Sequence, residues 1–109
     1  MAEQVMIVVG APVEYGDKLL DAISSAGGDI IGEYTHCGFT SLGYGRFKPS
    51  ESANPHIGDK EAINKQEEIR VESFCDRAIA RAVVDAIREA HPYEEPVIYV
   101  IPLLDLDTL

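Results

Sequence analysis

QVMIVVGAPVE, residues 4–14, carries an unbroken apolar run from Val5 to Val9 in which only Met6 is not β-branched. Such a run, with no polar alternation, reads as a central strand buried on both faces. Pro12 marks its end. GDKLLDAISSAGG follows, with Leu19, Leu20, Ile23 and Ala26 at helical spacing and Gly27-Gly28 as the C-terminal stop. A buried strand that runs into an amphipathic helix needs a sheet for that helix to cover, and the rest of the chain supplies one.

DIIGEYTHCGFTS (29–41) returns to strand composition. LGYGRFKP (42–49) reads as a turn at Gly43–Gly45 and a further strand ended by Pro49. The GYG triplet is not a phosphate loop, because no helix follows it. Residues 48–65, KPSESANPHIGDKEAINK, are polar and aperiodic, which predicts a long loop of the kind that carries function. EEIRVESFC (67–75) alternates, with Ile69, Val71 and Ser73 on one face and Arg70, Glu72 and Phe74 on the other. Asp76 is a candidate N-cap for a second helix, whose stripe is Ile79, Val83, Ile87 and Ala90. Pro92 disfavours helical backbone at His91, so that helix ends there. PVIYVIPLL (96–104) is the last strand, with Pro102 at a sheet edge or beyond it.

The expected order is β-α-β-β-β-α-β. Right-handed crossovers put both helices on one face of a mostly antiparallel sheet, an α+β, ferredoxin-like sandwich over residues 1–109 as one domain. Nineteen acidic residues against nine basic ones leave a net charge of −10, which argues against nucleic acid and against an anionic membrane surface as partners. Val5–Val9 is too short to span a bilayer, and Glu3 stands where a targeting segment would have a basic cluster. The chain is read as cytoplasmic, with Cys37 and Cys75 as free, buried strand residues. The placement of His36 and Cys37 on one strand would point them to opposite faces, His36 outward.

HPYEEP, residues 91–96, is the densest chemistry in the chain. It is explained by a helix stop and one tight turn, with Pro92 first in the turn and Glu94 reaching back to a cap amide. The same turn would gather His91, Glu94 and Glu95, an imidazole and two carboxylates suited to a divalent metal or to proton transfer. Both readings stay open. His56, on the long loop, is free to reach a ligand. Arg46, Lys48 and Arg70 are candidates for an anion pocket.

YTHCGFTSLGYGRFKPSESANPHIG, RVESFC and AHPYEEPVIYVIPLLD together resemble the CutA-like insert domain of the Nif-three-like proteins. The combination of Cys37-x-Phe39, Gly43-x-Gly45-x-Phe47-x-Pro49, Asn54-Pro55-x-Ile57-Gly58 and His91 to Glu95 carries the likeness. It implies a fold related to CutA and the PII signal proteins, and a trimer joined through sheet edges. It also implies a chain made of the insert alone, so that the cyclohydrolase-like label of the larger proteins does not carry over. The expectation is a non-enzymatic, oligomeric sensor or binding domain for a small ligand or a divalent metal, read by a protein partner. Arg46, Asn54, His56, Gly58 and Tyr93 would touch the ligand, and His91, Glu94 and Glu95 would hold the metal. The alternatives are a metal-assisted hydrolase on a nucleotide-like substrate and an interaction module with no ligand.

Overall fold

In a computed structural model that describes residues 3–109, the strand expected from the opening run is β1 (Gln4–Pro12). Residues 1 and 2 of the expected 1–109 domain lie outside the described residues. A short turn of 3-10 helix leads into α1 (Gly16–Ser25), then β2 (Phe39–Phe47), β3 (Asn64–Asp76), α2 (Ala80–Ala90) and β4 (Ile98–Pro102). The sheet order is β2-β3-β1-β4, and every neighbouring pair is antiparallel. Each β-α-β unit therefore joins two parallel strands with another strand between them. The result is the expected α+β architecture, two helices packed on one face of a four-stranded sheet.

Alternation along the strands sets which side chains meet the helices. Val5, Ile7, Val9 and Ala11 of β1 and Val71, Ser73 and Cys75 of β3 face them and are buried. Leu19 and Ile23 of α1 and Val83 and Ile87 of α2 close the core from above, all fully buried. Burying each of these large side chains contributes about 1.5–3 kcal/mol. α1 stops as its glycines predict: Gly28 N–H donates to the Ile23 carbonyl and Gly27 N–H to that of Ser24, with Gly27 at a φ of 97°. α2 stops before Pro92, with His91 already extended.

Three local expectations are corrected. Residues 29–38 are not a strand. Asp29 and His36 both have positive φ, and the segment folds on itself through one bridge, Ile31 to Tyr34. Strand composition loses there to the buried Asp29, whose carboxylate accepts from the His36 amide at 3.0 Å and whose carbonyl accepts from that of Cys37. His36 is thus exposed in a turn, on Asp21 at 2.7 Å, and Cys37 is half-buried. The GYG triplet is no turn either; β2 runs straight through it in register with Glu68, Glu67 and Gln66. Asp76 precedes a 3-10 turn and makes no side-chain cap. The middle of the fold therefore has two strands where three were expected. Among the described residues no helix is long and apolar enough to cross a membrane.

Candidate functional site

The second face of the sheet carries no helix. Met6, Val8 and Gly10 of β1, Glu68, Arg70, Glu72 and Phe74 of β3, and Tyr99 and Ile101 of β4 point to it by register. At one end the 48–63 loop and residues 91–97 fold over this face and leave a cleft of about 900 Å3. Phe47, Tyr93 and Tyr99 give it aromatic walls; Arg46, Lys48 and Arg70 are its bases. The carboxylates of Glu68, Glu94 and Glu95 line it too.

His91 anchors the roof. It is 7% exposed, and its Nε2 lies 2.7 Å from the Gly10 carbonyl while Nδ1 accepts from the Tyr93 amide at 3.1 Å. Only a neutral ring protonated on Nε2 satisfies both bonds. Burial lowers its pKa from the ordinary 6.5, against the opposing pull of the Gly10 carbonyl and Glu68, while His56 lowers it further. Tyr93 stands over the imidazole with ring centres 4.8 Å apart, and its hydroxyl donates to Glu68 Oε2 at 2.6 Å. Burial, then the Glu68 bond and charge, then Glu14, push that phenol far above its usual range.

The loop is joined to this roof. Asn54 N–H donates to Glu94 Oε1 at 3.1 Å, and His56 lies against Tyr93 and Tyr15, at 6.3 and 6.5 Å between ring centres. Gly58 has a φ of 99°, and a Cβ there would meet the Phe47 ring at 2.9 Å. Asn64 closes the loop, accepting from Asp59 N–H and donating to the Ala62 and Asp59 carbonyls, each at 2.9 Å. Of the expected ligand residues, Arg46, His56 and Tyr93 line the cleft, whereas Asn54 and Gly58 shape the loop behind it.

The expected metal set was His91, Glu94 and Glu95. Residues 93–95 are a series of bends and not the expected tight helical turn. Both His91 nitrogens are engaged, and Glu94 holds the loop. Among the described residues no three His, Cys, Asp or Glu side chains are grouped to hold a metal ion. The residue that sequence reasoning passed over is Glu68. The available signal was Gly45 on β2, which leaves a place with no side chain where a long neighbour on β3 can lie.

An antiparallel sheet covered by two helices on one face, with a cleft on the other, places the chain in the class of CutA- and PII-like folds. CutA1 from Shewanella sp. SIB1 superposes over 95% of this chain and 84% of its own with a TM-score of 0.69, at 16% identity, a likeness of fold alone. A Bacillus cereus protein related to NIF3 matches 95% of this chain and 26% of its own, with a TM-score of 0.81 and 35% identity. The GTP cyclohydrolase 1 type 2 homolog of Bacillus subtilis is 39% identical over 89 residues, 82% of this chain and 24% of that protein. The homolog from Halalkalibacterium halodurans is 39% identical over 97 residues, 26% of its length. No family model matches. The chain is similar to part of these Nif-three-like proteins and spans about a quarter of the length of the relatives it matches.

Proposed function

We propose that the protein is a non-enzymatic binding domain that takes a small organic ligand in the cleft and works as a homotrimer. The observation that carries the first part is the cleft itself. Its volume of about 900 Å3 suits a small molecule, and aromatic walls beside a few polar groups are the usual lining of such sites. HPYEEP forms the roof through the His91 and Tyr93 bonds, and Asn54 on Glu94 ties the roof to the loop. A ligand that orders the loop would be read by whatever touches the loop. We prefer this to the divalent-metal and metal-assisted hydrolase readings because no three His, Cys, Asp or Glu side chains are grouped among the described residues.

Assembly is supported by the rest of the helix-free face. Phe39 is 67% exposed, Tyr99 55%, Ile101 42% and Leu103 42%. A contiguous apolar surface of this kind is expected to be covered, and the cleft opens at its border. A second copy of the chain is the proposed cover, with the trimer taken from the likeness to CutA proteins. Thermal melting against a panel of small metabolites tests the binding reading. A stabilising compound should lose its effect in Arg46→Glu and Tyr93→Ala. Stabilisation that survives in both variants would place binding elsewhere.

A further inference from the structure

Glu68 is placed with more care than a wall residue needs. A Cβ on Gly45 would overlap its carboxylate, and one on Gly10 would lie 3.0 Å from Oε1. Gly43, next along β2, has nothing within 4 Å of its Cβ position. The strands thus keep a space that the Glu68 carboxylate fills. Tyr93 holds Oε2, and Oε1 has no protein donor among the described residues. An ionised carboxylate has about four acceptor positions, so most of its capacity is left for whatever enters the cleft. A cationic N–H is the donor it binds most strongly.

Arg70 lies two residues further along the same face of β3, about 7 Å away at Cα. Its Nε donates to Glu72 Oε2 at 2.8 Å, and its Nη atoms have no protein acceptor among the described residues. Both side chains line the one cleft, so a small molecule seated there can meet a carboxylate and a guanidinium. A ligand with only positive charge would face Arg46, Lys48 and Arg70. One with only negative charge would face Glu68, Glu94 and Glu95. A lining of both signs favours a ligand that carries both.

We infer that the cleft is selective for a zwitterion with an apolar side group. Its ammonium binds Glu68, its carboxylate binds Arg70, and its apolar group lies against Phe47, Tyr93 and Tyr99. The inference rests on the cleft being the binding site and names the chemistry of its ligand. Isothermal titration with L-phenylalanine, 3-phenylpropionate and 2-phenylethylamine tests it, because the last two each lack one charge. Wild type should bind L-phenylalanine at least tenfold more tightly than either. Glu68→Gln, which still accepts from Tyr93, should lose the preference over 3-phenylpropionate while melting like wild type. Gly45→Ala should lose it as well, because its methyl takes the carboxylate's place, whereas Gly43→Ala should keep it. Equal affinity for all three probes, no binding of any, or a preference unchanged in Glu68→Gln overturns the zwitterion. Binding unchanged in every variant, with Arg46→Glu and Tyr93→Ala included, removes the cleft reading itself.

Discussion

His91 combines two structural tasks. It ends α2, as Pro92 requires, yet its ring is a clamp between β1 and the roof of the cleft. Its place at the helix end was legible from the sequence. Its partner was not, because Gly10 is 81 residues away and only the fold brings them together. A neutral histidine held below its ordinary 6.5 makes acid unfolding easier. The unfolded chain takes up the proton first, so this contribution is full above about pH 6.5 and is lost as pH falls toward the folded value. Denaturant titration at about pH 7.5 and 5.5 should show a larger loss in wild type than in His91→Gln. Equal losses would assign the acid sensitivity to other groups. The Tyr93–Glu68 bond makes a separate prediction. Ultraviolet titration should reveal a late phenol that Tyr93→Phe removes and Glu68→Gln brings to lower pH. Unchanged titration in Tyr93→Phe would contradict the bond.

At the scale of elements, hydrophobic period served well where packing repeats it. β1, α1, α2 and the alternation of β3 were all legible, because their buried faces recur at the spacing of the structure. β2 was not. It is an edge strand and exposed along almost its whole length, so no burial pattern marks its extent, and its glycines imitate a turn. The 29–38 segment failed for the opposite reason, since a buried Asp29 overrode strand-like composition. The long loop was recognised as a loop, but the residue that shapes it, Asn64, lies at its end and in β3. Asn64→Ala removes bonds that contribute about 1 kcal/mol each. It should speed proteolysis within 48–63 many-fold while lowering the melting temperature only modestly. Cleavage at the wild-type rate would show that the loop is held by other contacts.

The whole molecule is longer than its chain length requires. Its radius of gyration is 15.1 Å, with extents of 48 × 22 × 22 Å, against about 13 Å for a compact chain of this size. The β2–β3 arm and the apolar helix-free face account for that shape and favour assembly. Light scattering should give the mass of a trimer, reduced to the monomer by Ile101→Glu. A wild-type monomer at high concentration would end the assembly proposal and leave the cleft untouched. The composition made a nucleic-acid partner implausible from the start, through its charge of −10, but it could not indicate a cleft built from three separate parts of the chain. The central claim is that those parts form one small-molecule site. Its most direct measurement is backbone amide NMR of the assembled protein, titrated with L-phenylalanine. The predicted result is saturable shifts confined to Gly10, Gly43–Lys48, the 48–63 loop, Glu68–Arg70 and Tyr93–Glu95. Saturable shifts centred on α1, α2 or the 29–38 turn, with the cleft amides still, would contradict it.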